Sequence, residues 1–162
     1  MGTTSTVKIM SNEAVPRVVK TIKKWKDHNI FEREVLAINM LKQFDWCPKI
    51  IKTNVEEKQI IMSYAGSPMN AENVPEDALD QANQILLDLA SVKVRHNDIK
   101  EEEVLVHDGK VCLCDFGWAS LEDDFSFGDS EISSKEKPHG IIDDKAIIDI
   151  CSRYLSKQKK NE

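Results

Sequence analysis

The hydrophobic pattern of the chain predicts a mixture of short strands and helices. Helical spacing of apolar residues appears over residues 31–44, in a run that begins near Pro75, and from Ile142 to Leu155. The second run places Ala78, Ala82, Ile85, Leu86 and Leu89 on one stripe, with Pro75 suited to a first helical turn. The charged residues after Leu155 predict a disordered tail. Together these features favour the α+β class.

A β-hairpin is predicted around Asp108-Gly109, a pair that readily adopts positive φ angles. The flanking runs, 103–106 and 110–114, are rich in strand-forming residues. Asp98 precedes the first strand and Asp115 follows the second, so the hairpin brings both carboxylates to the same end. Two carboxylates held close together tend to bind a cation, because their repulsion must be neutralised.

Residues 96–103 read HNDIKEEE, and residues 115–117 read DFG. This arrangement resembles the protein-kinase-like phosphotransferases, whose catalytic loop H-R-D-L-x-x-x-N is followed by D-F-G. The resemblance implies that Asp98 accepts or orients the proton of an attacking hydroxyl. It also implies that Lys100 contacts the γ-phosphate of ATP and that Asp115 holds Mg²⁺.

Two positions depart from the pattern of that family. Glu103 stands where the family has the Asn that binds a second metal ion. A carboxylate there either holds Mg²⁺ or Mn²⁺, or crowds the triphosphate and leaves a weak or inactive enzyme. Asn97 replaces the family's Arg, which suggests that control by a phosphorylated activation loop is absent.

Upstream, Val18-Val19-Lys20 resembles the strand motif V-A-I-K, whose Lys grips the α/β-phosphates and pairs with a Glu on the next helix. Glu34 shares a helix face with Phe31 and Ile38, whereas Glu32 points away. We therefore expect Glu34 to pair with Lys20, since an unpaired buried carboxylate is costly. The alternative places Glu34 at the edge of the apolar stripe, in water, and Lys20 on the surface.

The same resemblance extends to the nucleotide-binding elements. Residues 2–7, GTTSTV, resemble the second half of a glycine-rich loop, with Val7 as the residue that caps adenine. Met62 then corresponds to the gatekeeper, and the backbone of Ser63 and Ala65 to the groups that read the adenine edge. The alternatives are a frayed terminus for residues 2–7 and an ordinary buried strand before Gly66.

The resemblance implies a reduced bilobal kinase-like fold. Residues 1–66 would form an N-lobe with a small antiparallel sheet and one helix, and residues 67–162 a truncated, mainly helical C-lobe. Together they make one domain over 1–155 with a tail at 156–162. The chain of 162 residues is well short of an ordinary kinase domain. Residues 143–149 also resemble a run in the small atypical kinase of the KEOPS tRNA-modification complex.

Composition limits the partners and the compartment. The formal net charge of −6 argues against nucleic acid as a main partner. No apolar run suits a signal peptide or a membrane span. Four cysteines without metal-ligand spacing give no indication of zinc. These features favour a reducing cytoplasm, which would be the host's cytoplasm for a viral or effector protein.

The implied activity is transfer of the γ-phosphoryl group of ATP, with Mg²⁺ or Mn²⁺, to a hydroxyl, most simply Ser or Thr of a protein. Serines in the predicted loop 121–140 are candidate acceptors on the chain itself: Ser126, Ser130, Ser133 and Ser134. A sugar or other small molecule is an alternative acceptor. A catalytically dead pseudokinase that binds or inhibits a partner, and a plain α+β domain with an accidental motif, are the rival interpretations. A partner protein could also replace the missing part of the C-lobe.

Overall fold

In the computed structural model, residues 5–11, 14–23, 29–121 and 143–161 are described. The first half contains a four-stranded antiparallel sheet in the order β1-β2-β4-β3 and one helix. Its elements are β1 Ser5–Met10, β2 Arg17–Ile22, α1 Ile30–Met40, β3 Ile50–Asn54 and β4 Gln59–Ser63. Strand β2 lies inside this sheet, between β1 and β4, and α1 follows it in the chain.

The described residues of the second half form two helices and two small antiparallel sheets, ordered β5-β7-β8 and β6-β9. Its elements are β5 Ser67–Pro68, α2 Ala78–Ser91, β6 Val94–Arg95, β7 Val104–His107, β8 Lys110–Leu113, β9 Ser120–Leu121 and α3 Asp143–Lys160. One continuous hydrophobic core runs from Ile22 in β2 to Cys151 in α3. The predicted α+β architecture, with one helix beside an antiparallel N-terminal sheet, is confirmed.

Helix α1 ends at Met40, four residues before the end that the sequence pattern predicts. The rings of Phe44 and Trp46 stack with their centroids 5.9 Å apart. The indole Nε1 of Trp46 donates a hydrogen bond to Asp88 of α2 at 2.8 Å. The ring stack and this long-range bond favour a turn over another turn of helix, so tertiary structure overrides the local periodicity.

Two further helix boundaries differ from the prediction. Helix α2 begins at Ala78, because Pro75 belongs to a preceding turn in which its carbonyl accepts the Ala78 N–H at 3.1 Å. Helix α3 continues past Leu155 to Lys160, so most of the predicted tail is helical. The last turn carries Lys157, Lys159 and Lys160. Cations near the carboxyl end interact favourably with the helix dipole, which offsets the high polarity of these residues.

The predicted hairpin is present as β7 and β8. Asp108 and Gly109 at its tip have φ angles of 47° and 76°, as a two-residue type I′ turn requires. Glu103 lies in a short 3₁₀ turn before β7 rather than in the strand itself. Its carbonyl accepts the Cys114 N–H at 3.0 Å, which ties together the two ends of the hairpin.

Several predictions concern residues outside the described ranges. They include residues 2–4 of the glycine-rich segment, nearly all of the loop 121–140, and its four candidate acceptor serines. Within the described ranges, no helix is both long enough and apolar enough to cross a membrane.

Candidate active site

A buried ammonium group lies between two carboxylates at the centre of the molecule. Strand β2 supplies Lys20, which is 4% exposed. Its Nζ lies 2.9 Å from Oε1 of Glu34 on α1 and 2.8 Å from Oδ1 of Asp115. Glu32 instead lies at the surface, where its carboxylate pairs with Lys58 at 3.0 Å. Helix α1 therefore directs Glu34, and not Glu32, towards β2.

Mutual attraction keeps Lys20 and Asp115 ionised in spite of their burial. Burial lowers the pKa of Lys20, but the charges of Glu34 and Asp115 outweigh it and raise that pKa above its usual value. Burial raises the pKa of Glu34, more than the neighbouring Lys20 lowers it. Burial also acts to raise the pKa of Asp115, but Lys20 outweighs it and the net shift is downward. Lys20 and Asp115 thus form the most strongly ionised pair of the cluster.

His96 connects the segment with Asp98 to the segment with Asp115. The imidazole is buried, its Nδ1 accepts the Asp98 N–H at 3.2 Å, and its Nε2 donates to the carbonyl of Cys114 at 2.8 Å. Because Nδ1 is an acceptor, the ring proton lies on Nε2. The ring also packs edge-on against Phe116, with centroids 4.8 Å apart. These contacts fix the two predicted aspartates relative to each other.

Asp98 and Lys100 form a second ion pair, with Oδ2 of Asp98 3.1 Å from Nζ of Lys100. Burial raises the pKa of Asp98 more than the nearby Lys100 lowers it. The other oxygen of Asp98, Oδ1, is buried and has no hydrogen-bond partner among the described residues. A buried acceptor without a partner is costly, and a substrate hydroxyl would satisfy it.

Glu103 is the carboxylate that departs from the family pattern. Its Oε2 accepts the backbone N–H of Lys100 at 2.7 Å, and its Oε1 lies 3.8 Å from the Lys100 ammonium. Burial, together with repulsion from Asp115, raises its pKa to about 8. Glu103 and Asp115 thus supply two mutually repelling oxygen donors, as a hard divalent cation prefers.

The described residues contain no group of three or more His, Cys, Asp or Glu side chains placed to hold a metal ion. Mg²⁺ sites in phosphotransferases characteristically use one or two carboxylates, with water and substrate phosphates as the other ligands. The Asp115 and Glu103 pair fits that pattern, which needs a nucleotide for completion.

Three of the predicted nucleotide-binding residues, Val7, Lys20 and Met62, lie on the same face of the N-terminal sheet. Val7 is directly opposite Lys20, and Met62 is opposite Val18. Directly opposed residues in antiparallel strands point to the same face, so Val7 lies on the Lys20 side. Met62 is buried, whereas Val7 is 61% exposed. An apolar side chain with this exposure could cover a flat base.

The backbone after Met62 is partly used within the protein. The Ser63 N–H donates to the carbonyl of Lys49 at 2.9 Å, so the predicted contribution of Ser63 is restricted to its carbonyl. Ala65 follows the end of β4 and is itself 9% exposed. Ser63 is the last residue of β4, and Ala65 lies in the connection between β4 and β5.

The sequence motifs do not identify Asp143, which anchors the loop that carries Asp98. Its Oδ2 accepts the His96 N–H at 2.6 Å, and its Oδ1 accepts the Asn97 N–H at 2.8 Å. The only sequence signal is its place as the first acidic residue of the run 143–149. Neither that run nor its spacing from residue 96 predicts the contact, because the two segments meet only through folding.

No family model matches the chain, and no curated protein matches it significantly. Among solved structures, the chain is similar to the kinase PK-1 of Cydia pomonella granulovirus, with a TM-score of 0.55 and 18% sequence identity. The similarity covers 71% of this chain but only 48% of the viral kinase. The chain therefore has a kinase-like fold, as the motifs predict. It matches about half the length of the viral enzyme. The resemblance to the KEOPS kinase and the division at residue 66 stay predictions.

Proposed function

We propose that the protein transfers the γ-phosphoryl group of ATP to a hydroxyl. The observation that carries this proposal is the contact of Lys20 with both Glu34 and Asp115. This cluster is joined through His96 to the Asp98–Lys100 pair. The kinase-like fold supports the same class of reaction. Such a cluster provides positive charge for a triphosphate beside an oriented carboxylate.

Each residue has a distinct role in the proposed reaction. Lys20 binds the α/β-phosphates, and Glu34 holds the Lys20 ammonium in place. Asp98 accepts or orients the proton of the attacking hydroxyl through its unpartnered oxygen. Lys100 stabilises charge on the γ-phosphate during the in-line transfer.

Asp115 and Glu103 would hold Mg²⁺ or Mn²⁺. When bound, the cation neutralises the charge of the phosphate oxygens. The adjacent, mutually repelling carboxylates fit such an ion, which would also relieve the repulsion that raises the pKa of Glu103. We further propose that Val7 and Met62 contact the adenine, and that the carbonyl of Ser63 and the N–H of Ala65 bind its polar edge.

For the acceptor, we propose Ser or Thr of a protein, since this is the usual acceptor in the resembling family. A sugar or other small molecule is the alternative. We also propose a cytoplasmic location, for which the cysteines provide support. All four lie in the described ranges and are free thiols. Free, mostly buried thiols suit a reducing compartment.

The direct test is incubation with γ-labelled ATP, Mg²⁺ or Mn²⁺ and protein substrates, with the wild type and Asp98→Asn compared. Asn has nearly the same shape but accepts a proton poorly, so the variant should bind ATP and lose at least about 100-fold in rate. ATP binding is followed separately by thermal shift. Transfer at the wild-type rate by Asp98→Asn would show that Asp98 has another role.

The second candidate function is a pseudokinase that binds a protein partner. Glu103 favours it, because burial and the Asp115 charge raise its pKa to about 8, and in its ionised form it repels a triphosphate in the absence of a cation. In that case the wild type transfers no label to itself or to generic substrates. Nucleotide with Mg²⁺ or Mn²⁺ also fails to raise its unfolding temperature, whereas the phosphotransferase predicts an increase.

A further inference from the structure

Two buried polar side chains beside the candidate site have no part in the chemistry proposed above. Arg33 on α1 is 2% exposed, and Asn97, next to Asp98, is 7% exposed. Buried donors of this kind need hydrogen-bond partners. Both find them on residues 118–120, directly after Asp115-Phe116-Gly117. We call residues 118–120 the clasped segment.

Arg33 joins the clasped segment to helix α1. Its Nη1 donates to the carbonyl of Ala119 at 3.1 Å. The next residue on the helix, Glu34, contacts Lys20 and accepts the Phe116 N–H at 3.4 Å. Consecutive residues of α1 therefore bind the chain on both sides of Gly117. Helix α1 thus contacts Lys20 and the clasped segment through neighbouring side chains.

Asn97 joins the same segment to the catalytic loop. Its Nδ2 donates to the carbonyl of Trp118 and to Oγ of Ser120, both at 2.9 Å. The side-chain amide has two N–H groups, so these two bonds use its whole donor capacity. Ser120 is 2% exposed, and its backbone pairs with Arg95 of β6. The clasped segment is thus held from two sides by unmodified groups.

This arrangement differs from one that depends on phosphorylation. A phosphorylated residue orders a neighbouring segment by pairing its added negative charge with Arg side chains. The residue immediately before Asp98 is here a neutral amide whose two N–H groups already have partners. It has neither the positive charge nor the spare donor that a phosphate would need.

We infer that Arg33 and Asn97 are positioning residues, which hold Asp115 and Asp98 in their working places without any phosphorylated residue on the chain. The inference rests on the proposed phosphotransfer for its kinetic consequence. Its structural part, that the two side chains hold residues 118–120, is independent of activity.

The first experiment uses Arg33→Met and Asn97→Gly. Met keeps much of the Arg volume without its donors, and Gly accepts the positive φ of 70° at position 97. Each variant should speed hydrogen exchange of the amides of residues 118–121 by about tenfold or more. Each should also lower kcat by about tenfold, with the nucleotide KM changed less than kcat. Lys42→Met, which removes an exposed cation just after α1, is the matched control and should change neither.

Arg33→Lys tests whether the effect is one of positioning, since it keeps a buried donor and should recover part of the lost kcat. Unchanged exchange at residues 118–121 in both Arg33→Met and Asn97→Gly would overturn the inference. Wild-type kcat in these variants would overturn it as well.

The second experiment tests the independence from phosphate. Wild-type protein is treated with phosphatase, and the absence of phosphate is verified by intact mass. The rate of transfer should then equal that of untreated protein, and a tenfold loss would overturn the inference. If neither preparation transfers phosphate at all, the proposed function fails. Hydrogen exchange then still decides whether Arg33 and Asn97 hold the clasped segment.

Discussion

At the scale of single residues, the candidate site depends on where buried charge is tolerated. Lys20 is stabilised by the carboxylates of Glu34 and Asp115. Glu103 lies near the Asp115 carboxylate, and its Oε1 is 3.8 Å from the ammonium of Lys100. Burial and the Asp115 charge raise the pKa of Glu103 to about 8. Glu103 is therefore the residue at which the site carries unrelieved repulsion.

This repulsion predicts a pH dependence of stability in metal-free buffer. The pKa of Glu103 is higher in the folded protein, about 8, than its ordinary value of 4.5. Its contribution to the free energy of unfolding is therefore fully present below about pH 4.5 and is lost as the pH rises through about 8. The free energies of unfolding of the wild type and of Glu103→Gln are measured with urea. As the pH rises from about 4.5 to about 8, Glu103→Gln should become more stable relative to the wild type. A difference that does not change with pH would contradict the prediction.

The same substitution tests Glu103 as a metal ligand. Gln keeps an oxygen that can accept the Lys100 N–H, but it lacks the negative charge that attracts a cation. We expect the Mn²⁺ concentration for half-maximal nucleotide binding to rise by about tenfold, since roughly 1.4 kcal/mol corresponds to that factor. Glu102→Gln, at a neighbouring exposed position, serves as the control. Equal Mn²⁺ dependence in the two variants would exclude Glu103 as a ligand.

The sequence was sufficient to predict which residues of the motifs come together. Helical spacing on α1 separates Glu34 from Glu32, and the structure pairs only Glu34 with Lys20. The partners of Arg33 and Asp143 could not be predicted, since each bonds a residue more than 40 positions away and no motif relates the two positions. Such contacts depend on how elements pack, and no local pattern encodes them.

At the scale of elements, the β7–β8 hairpin packs closely against the connection between the two halves of the chain. Gly66 lies in this connection with φ of 114°, and a Cβ there would overlap the carbonyl of Val106 in β7. Gly109 at the hairpin tip also has a positive φ, 76°, but a Cβ there meets no atom within 4 Å. A substitution at Gly109 therefore introduces backbone strain alone, whereas one at Gly66 introduces both backbone strain and a steric overlap.

Ala substitution at these positions predicts two different costs. Gly109→Ala should lower the free energy of unfolding by about 1 kcal/mol, through the strain of a positive φ alone. Gly66→Ala should lower it by that amount and about 1–3 kcal/mol more, because the added methyl group displaces backbone. Urea unfolding of both variants provides the measurement. Equal losses of unfolding free energy in the two variants would show that β7 moves to accommodate the methyl group at position 66 without an energetic cost.

The elements themselves were better predicted than their ends. The type I′ turn follows directly from Asp108-Gly109, because few other pairs adopt two positive φ angles. The end of α1 at Met40 was not predicted, since it depends on the contact of Trp46 with Asp88 in a distant helix. Helix ends depend on tertiary contacts as much as on the spacing of apolar residues along the sequence.

At the scale of the whole molecule, α3 connects the core to the loop that carries Asp98. Its apolar residues Ile147 and Cys151 are fully buried in the common core. Its first residue, Asp143, accepts the backbone N–H groups of His96 and Asn97. In this kinase-like fold, α3 therefore both packs into the core and holds the loop that carries Asp98.

This connection predicts that Asp143 is needed for stability as well as for activity. Asp143→Ala leaves the N–H groups of His96 and Asn97 without their acceptor, at a cost of about 2 kcal/mol or more in unfolding free energy. Asp144→Ala removes the same group from the adjacent, exposed position and should cost less than about 0.5 kcal/mol. Chemical unfolding of both variants measures the difference. Similar stabilities would mean that the loop is held by other contacts.

The central claim is that Lys20, Asp98 and Asp115 surround the triphosphate of a bound nucleotide. A crystal structure with a non-hydrolysable ATP analogue and Mn²⁺, with the metal located by anomalous scattering, tests it most directly. The account predicts phosphate oxygens within hydrogen-bond distance of Lys20 and Mn²⁺ bound to Asp115 and Glu103. A nucleotide bound elsewhere on the protein, or no nucleotide at saturating concentration, would contradict it.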